Sequence, residues 1–264
     1  MLKQRVITAL ILAALVLGAI FWLPADIVAA VITLLLLAGA WEWAAFLGLK
    51  HPVSRLAYVA LIAGCIAFVW SQGTNSPRAD QLLHAALIWW LVAFMWIATM
   101  PGIVNRASAA LAGVLVLVPA WVALIRLHEY APFWLLFLLL LVVAADVGAY
   151  FAGRKFGRHK LAPKVSPGKT WEGVLGGLAA AALMAVVGTA WFKVEVVSFI
   201  AVCAIVVLAS IIGDLTESLF KRHAGLKDSG TLLPGHGGVL DRVDSVTAAA
   251  PIFLVGMEWL GLFR

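Results

Sequence analysis

The chain alternates between long apolar runs and short polar breaks, and this pattern predicts a bundle of membrane helices. A helix that crosses the hydrocarbon core needs about 20 apolar residues, and nine stretches approach or exceed that length. Glycine, proline and charged residues separate these stretches. We therefore predict an all-α, polytopic integral membrane protein with about nine transmembrane helices. The predicted spans are 1–23, 27–49, 56–70, 81–99, 109–127, 132–151, 171–192, 196–222 and 243–262.

The composition agrees with a membrane protein. The 264 residues are 64% hydrophobic and 12% charged, with a mean hydropathy of +1.05, whereas a soluble domain would carry about a quarter charged residues. The first apolar run could also be a cleaved signal peptide. It is longer than a typical signal sequence and no small-x-small cleavage site ends it. We expect it to remain as the first helix.

Lysine and arginine predict the orientation. With nine spans and a cytoplasmic N-terminus, 15 of the 19 basic residues fall on the cytoplasmic side, which is the bias that membrane proteins require. The other four are Arg78, Arg126, Lys193 and Arg264. The net charge of +6 is then a topology signal, and we predict no nucleic-acid partner. We expect the protein in a bacterial cytoplasmic (inner) membrane, in contact with its lipids.

The densest polar block, residues 213–245, predicts a functional site. Asp214, Glu217, Ser218 and Lys221 share one helix face at i, i+3, i+4 and i+7, and 241–245 repeats this spacing with acidic residues at the start of the next span. The glycines between them permit positive φ and close backbone approach. An ordinary charged cytoplasmic loop is the simpler interpretation, but it does not explain acidic residues at helix ends.

A second polar block, residues 146–173, leaves more alternatives open. Asp146 lies in an apolar helix, where a carboxylate costs roughly 2.5–3.5 kcal/mol and usually faces a cavity or partner. It shares a helix face with Tyr150 and Gly153 at i+4 and i+7. It could equally lie near the membrane surface and pair with Arg154 or Lys155. Ser166 before a proline predicts a helix N-cap. A helix N-terminus with a nearby lysine, Lys169, is typical of an anion site.

Both blocks resemble a known family. The polar block is similar to the signature of phosphatidate cytidylyltransferases, the CDP-diacylglycerol synthases, and the similarity continues upstream. It covers roughly the C-terminal half, and the N-terminal half matches only as a set of membrane helices. We therefore divide the single membrane domain into 1–130, with about five helices, and 131–264, with about four. The matching motifs are Ser218-x-Phe220-Lys221-Arg222, Lys227-Asp228-x-Gly230, Leu233-Pro234-x-His236-Gly237-Gly238-Val239-x-Asp241-Arg242-Val243-Asp244, Ser166-Pro167-x-Lys169-Thr170-x-Glu172-Gly173 and the run 146–157.

The resemblance implies a reaction between CTP and phosphatidate at the cytoplasmic membrane face, giving CDP-diacylglycerol and pyrophosphate. Two polyanions must meet, so divalent metal and basic side chains have to relieve their repulsion. The resemblance also implies Mg²⁺, a second monovalent cation such as K⁺, and a homodimer. The implied catalytic residues are Asp214, Lys221, Lys227, Asp228, Asp241, Arg242 and Asp244, with Asp214, Asp241 and Asp244 as metal ligands or their supports. The implied substrate-binding residues are Asp146, Ser166, Lys169, Thr170, Glu172, Glu217, Ser218, Arg222, His236, Gly237 and Gly238.

Two other functions remain as alternatives. A polyprenol-type lipid kinase could use the Ser-Pro-x-Lys-Thr motif alone, although the match over 227–244 argues against it. A transporter could use Asp146 as a coupling site, but the chain has no evident inverted repeat. In the N-terminal half, Glu42 is interpreted as an interfacial carboxylate in preference to a residue of the site.

Overall fold

The computed structural model describes residues 13–102, 104–232 and 237–263, and these form a helical bundle with one short β-hairpin. The helices are α1 (Ala13–Trp22), α2 (Ala25–Phe46), α3 (Pro52–Gln72), α4 (Pro77–Thr99), α5 (Arg106–Tyr130), α6 (Pro132–Phe156), α7 (Trp171–Phe192), α8 (Val196–His223) and α9 (Leu240–Trp259). The strands are β1 (Lys160–Ala162) and β2 (Ser166–Thr170), between α6 and α7.

Seven of the described helices, α2 to α8, are long and apolar enough to cross a membrane. This confirms a polytopic membrane protein, while the predicted count of nine spans is not confirmed. Helix α1 has ten described residues. Helix α9 matches the position of the predicted ninth span, but it packs against α2, α4, α5, α6 and α8 and is buried along most of its length. Because protein encloses α9, its sequence can use alanine, serine and threonine where lipid-facing helices use leucine.

Small residues bring α6 and α7 into close contact, as the glycines and alanines at 176–182 predict. A Cβ atom added at Gly148 of α6 would lie 2.6 Å from the carbonyl oxygen of Gly176, and one added at Gly177 would lie 3.0 Å from the carbonyl oxygen of Ala145. The backbones are therefore nearly touching. This contact fixes the C-terminal end of α6 beside the N-terminal end of α7.

Helices α8 and α9 approach equally closely at Gly213. A Cβ atom at this position would lie 2.6 Å from the carbonyl oxygen of Asp244 and 2.9 Å from the Cβ atom of Ala248. Because no side chain separates the two helices there, the next residue of α8, Asp214, lies beside the first turns of α9. Two polar segments that are 30 residues apart in sequence therefore meet at one end of the bundle.

The hairpin corrects one detail of the predicted fold. Ser166 was predicted to cap a helix, and this is wrong, because Ser166 begins β2 and pairs with Ala162 of β1. The N-cap of α7 is Thr170, whose hydroxyl accepts a hydrogen bond from the backbone N–H of Gly173 at 3.1 Å. The proline after Ser166 keeps that residue extended, which suits a strand as well as an N-cap, and the pairing with β1 decides between them.

The hairpin is held against α8 by a small apolar cluster. Val165, between the two strands, is 2% exposed and packs with Leu215 and Leu219 of α8. This packing places β2 over the polar end of α8. The strand thus carries Lys169 to the place where α8 and α9 meet.

The opposite end of the bundle has its own ion network, centred on the buried Arg126 side chain. The guanidinium group of Arg126 in α5 contacts the Asp80 carboxylate at 2.7 Å and the Glu258 carboxylate at 3.3 Å, and it donates to the carbonyl oxygen of Thr74 at 2.6 Å. These contacts tie α5 to α4 and to the C-terminal end of α9. Their role is structural, since they lie at the far end of α9 from Asp241 and Asp244.

Candidate active site

A polar cavity of about 510 Å³ opens where the C-terminal ends of α6 and α8 meet the N-terminal ends of α7 and α9. Strand β2 forms one wall. The cavity brings together six of the predicted site residues from four separate segments. They are Asp146, Lys169, Thr170, Asp214, Asp241 and Asp244.

Lys169 and Asp214 form the ion pair that joins the hairpin to α8. The Lys169 Nζ atom lies 2.6 Å from Asp214 Oδ2, and the two side chains are 25% and 31% exposed. The second carboxylate oxygen of Asp214 accepts a hydrogen bond from the Ser218 hydroxyl at 3.3 Å. Both groups of the pair remain open to the cavity, so an incoming anion can reach the lysine and an incoming cation can reach the carboxylate.

Asp146 faces this cavity from α6. It is exposed to the cavity together with Tyr150 and Gly153, which confirms the predicted shared face. The alternative pairing with basic neighbours is not found, because Arg154 donates to the Tyr150 hydroxyl at 3.1 Å and the Lys155 ammonium lies over the Phe156 ring. Asp146 is instead within electrostatic range of Asp214 and Lys169.

A buried triad lies behind the cavity. The Lys221 Nζ atom is 2.9 Å from Glu217 Oε1 and 2.7 Å from Asp241 Oδ1, and the side chains of Lys221, Glu217 and Asp241 are 10%, 2% and 9% exposed. One ammonium group is therefore shared by two carboxylates in a nearly water-free environment. In this arrangement Lys221 neutralises the acidic ends of α8 and α9, and its contact with substrate phosphate stays a prediction.

Asp241 organises the approach to α9. Its Oδ2 atom accepts hydrogen bonds from the backbone N–H groups of Ser229 and Gly238, both at 2.9 Å. Gly237 has a φ of 83°, and a Cβ atom there would lie 2.9 Å from Asp241 Oδ2. Gly237 is thus required by backbone geometry, as predicted from the conformational freedom of glycine. The adjacent residues 233–236, including His236, lie outside the described residues.

Glu42 was the main site residue that sequence reasoning missed. It was assigned to the interface, but it is 2% exposed and accepts hydrogen bonds from Ser229, Val239 and Leu240. A signal existed, because an ionisable residue inside an apolar helix usually has a partner. The same argument that singled out Asp146 therefore applied to Glu42, but its partners lie almost 200 residues away.

Other predicted residues lie outside the cavity, so their substrate contacts stay predictions. The Glu172 carboxylate accepts from the backbone N–H groups of Arg158 and His159 and contacts His159 Nδ1 at 2.7 Å. It therefore fixes the turn before β1. Lys227, Asp228 and Arg242 are exposed around the loop between α8 and α9, and Arg222 is exposed at the end of α8.

The donor set suits a cation that is shared with a bound ligand. Among the described residues, no three Asp, Glu, His or Cys side chains are grouped closely enough to form a complete metal cage. Asp214 and Asp244 nevertheless share the cavity and lie within electrostatic range of each other. Magnesium is usually held by one or two carboxylates, with water and substrate phosphates completing its octahedron. These residues therefore fit an ion of that kind.

Taken together, the fold and the site define a class of protein: a polytopic membrane protein with a carboxylate- and lysine-lined cavity at one end of its helices. A model of the cytidylyltransferase family matches residues 3–260. Two of the named relatives are similar over almost the whole chain. The chain is 45% identical to the phosphatidate cytidylyltransferase of Pseudomonas aeruginosa, with 96% of each chain covered, and 41% identical to that of Haemophilus influenzae, with 96% of this chain and 97% of the relative covered. Over 46% of each chain it is 48% identical to the phosphatidate cytidylyltransferase of Brucella suis.

The chain therefore belongs to the cytidylyltransferase family. This confirms the resemblance drawn from the motifs, and it extends the relationship to the N-terminal half, where the motifs alone gave no evidence. An enzyme of phospholipid synthesis is thereby supported, and the kinase and transporter alternatives are not favoured.

Proposed function

We propose that the protein transfers the cytidylyl group of CTP to the phosphate of phosphatidate, releasing pyrophosphate and CDP-diacylglycerol. One structural observation supports this proposal in addition to the family relationship. The polar cavity shares Leu161, Val174 and Ile211 with an adjoining apolar groove of about 730 Å³. A charged headgroup site therefore lies directly beside an apolar space.

The groove has the composition expected for acyl chains. It runs between α4, the hairpin, α7 and α8, and its lining is mostly aliphatic and aromatic. Among the described lining residues, Lys164 is the charged one, and it lies in the turn of the hairpin. A lipid in this groove would place its tails along Ala98 and Leu208 and its phosphate toward Lys169.

The chemistry needs positioning and charge neutralisation more than covalent catalysis. A phosphate oxygen of phosphatidate attacks the α-phosphorus of CTP and forms the new P–O bond. The bond from the α-phosphorus to the bridging oxygen breaks, and pyrophosphate leaves. The attacking phosphate is already ionised at neutral pH, so no general base is required.

Within this scheme we assign a separate role to each charged residue of the cavity that the sequence predicted. Lys169 is open to the cavity at the end of the hairpin, and we assign it to the phosphates of either substrate. Asp214 and Asp244, with Asp146 opposite, are assigned to the Mg²⁺ that accompanies the nucleotide. That ion would supply charge neutralisation on the triphosphate. Asp241 is assigned a supporting role, since Lys221 and two backbone N–H groups already engage its oxygens.

We further propose that the cavity opens to the cytoplasm of a bacterial cell, where CTP is found. The basic-residue bias supports this orientation. The homodimer and the second monovalent cation remain part of the proposal on the strength of the family resemblance.

The test is pyrophosphate release by purified protein in mixed micelles with CTP, phosphatidate and Mg²⁺. Wild type should release pyrophosphate in step with CDP-diacylglycerol, and Asp214→Ala should lose at least 100-fold in kcat. Asp26→Asn is the matched control, because Asp26 is an exposed carboxylate at the opposite end of α2 from Glu42. The proposal would be overturned if the protein released CDP when given polyprenol and released no pyrophosphate when given phosphatidate.

A further inference from the structure

The carboxylate of Glu42 connects the N-terminal half of the chain to the candidate active site. Its Oε2 atom accepts from the Ser229 hydroxyl at 2.9 Å and from the Leu240 backbone N–H at 2.8 Å, and its Oε1 atom accepts from the Val239 backbone N–H at 3.0 Å. The side chain thus binds both flanks of the loop that joins α8 to α9. These flanks are ten residues apart in sequence.

Glu42 acts as the N-terminal cap of α9. The residue at the N-cap position, Val239, has no side chain that can accept a hydrogen bond, and the first backbone N–H groups of a helix need an acceptor. Glu42 supplies it from another helix, and its charge is favourable at the positive end of the helix dipole. The start of α9 is therefore fixed by a residue of α2 together with Asp241 of its own first turn.

The fit around Glu42 is tight on both flanks. A Cβ atom added at Gly230 would lie 2.8 Å from the Glu42 Cδ atom, and one added at Gly238 would lie 2.7 Å from it. Both glycines belong to the motif that predicted the site. Their small size is explained by the carboxylate that the two backbone segments enclose.

Ser229 connects Glu42 to Asp241 by hydrogen bonds to both residues. The Ser229 hydroxyl donates to Glu42, its backbone N–H donates to Asp241 Oδ2 at 2.9 Å, and its oxygen accepts from the Asp241 backbone N–H at 3.3 Å. Asp241 in turn contacts Lys221 and lines the cavity. A continuous chain of contacts therefore runs from α2 to the carboxylates of the site.

We propose that Glu42 is a positioning residue of the transfer reaction, which holds Asp241 and the first turn of α9 in register with Asp214 through Ser229. A carboxylate is required because all three neighbours are donors, so both oxygens must accept. An amide would turn one of its two ends into a donor facing another donor. This inference rests on the proposed function for its kinetic consequence, but not for its structural one.

The kinetic test compares Glu42→Gln with wild type. We expect kcat to fall at least tenfold with KM for phosphatidate within about twofold, since small displacements of catalytic groups cost rate. Glu258→Gln is the control for a purely structural effect, because it removes one contact of Arg126 at the opposite end of α9. It should lower the unfolding temperature and leave kcat unchanged. A Glu42→Gln enzyme with kcat within twofold of wild type would overturn the proposal.

A double-mutant cycle tests the route through Ser229. Ser229→Ala should lower kcat in the same direction, and Glu42→Gln/Ser229→Ala should be no worse than Glu42→Gln alone within about twofold. Effects that multiply would mean that the two residues act independently, and the route through Ser229 would be refuted.

A measurement without substrate separates this inference from the proposed function. Hydrogen exchange in the nucleotide-free protein should be faster for the amides of Val239 and Leu240 in Glu42→Gln than in wild type, with no change at Val28 in α2. Unchanged exchange at 239–240 would refute the capping contact whatever the reaction is. Faster exchange with normal kcat would refute the positioning role, and a wild type that releases no pyrophosphate would refute the function alone.

Discussion

The buried contact of Lys221 with Glu217 and Asp241 should contribute strongly to the stability of the protein. Lys221→Met keeps most of the length and volume of the side chain and removes only the ammonium group. Two carboxylates that are 2% and 9% exposed then lose the cation that lies 2.9 and 2.7 Å from them. The change leaves uncompensated negative charge in a nearly water-free environment.

The magnitude follows from burial. Removing one partner of a buried ion pair costs roughly 3–5 kcal/mol, because the remaining charge stays desolvated. Lys169→Met breaks the more exposed pair with Asp214, with side chains 25% and 31% exposed, and exposed pairs contribute about 0.2–1 kcal/mol. Using about 2–4 °C per kcal/mol for a chain of this size, Lys221→Met should unfold roughly 6–20 °C below wild type. Lys169→Met should stay within about 4 °C.

The assay is thermal unfolding of the purified variants in one detergent at one scan rate, since unfolding of membrane proteins is often irreversible. Glu217→Gln/Lys221→Met should recover part of the loss, because a neutral amide no longer needs the ammonium group. In the activity assay, Lys169→Met should lose turnover while it keeps its stability, because it removes the ammonium group assigned to the substrate phosphates.

One result would refute the burial argument. If Lys221→Met and Lys169→Met unfold within about 2 °C of each other, the two ion pairs do not differ as their exposures require. A double variant less stable than Lys221→Met would also contradict it, since Glu217 would then have been stabilising without its cation.

The groove, the contact between α8 and α9, and the cap of α8 can each be tested by one substitution. Ala98→Trp should raise KM for dioleoyl phosphatidate several-fold and leave KM for CTP unchanged, because Ala98 lines the apolar groove and not the polar cavity; Ala190→Trp is the exposed control. Gly213→Val should lower both kcat and the unfolding temperature, because its side chain would force α8 away from α9, and normal values would contradict the close contact. Backbone hydrogen bonds from Ser198 and Val197 hold the pKa of Glu195 below its usual range. The stabilising effect of the Glu195 carboxylate should therefore be complete above the usual carboxyl pKa and should be lost as pH falls. The difference in unfolding temperature between wild type and Glu195→Ala should shrink on acidification. A difference that stays constant with pH would contradict this prediction.

Local pattern predicted most of the helices and much of the site. The periodic faces that placed Asp146 with Tyr150, and Asp214 with Ser218, were correct because they depend only on helical geometry. The close packing of α6 on α7 was likewise visible in a run of small residues. The hairpin was missed because the extended conformation that a proline imposes on the preceding residue suits a strand and an N-cap equally, and Ser76 before Pro77 does cap α4.

The sequence by itself determined three things: that this is a membrane protein, which segments form its helices, and to which family it belongs. Hydrophobicity, helical period and motif spacing determine them, and these are properties of neighbouring residues. Only the tertiary structure decided which carboxylates share a cavity, which are neutralised by Lys221, and that Glu42 belongs with α9. Glu42 and Val239 are separated by 197 positions, and a contact between them forms because α2 and α9 pack side by side and a buried helix N-terminus must find an acceptor. No pattern within either segment encodes that meeting.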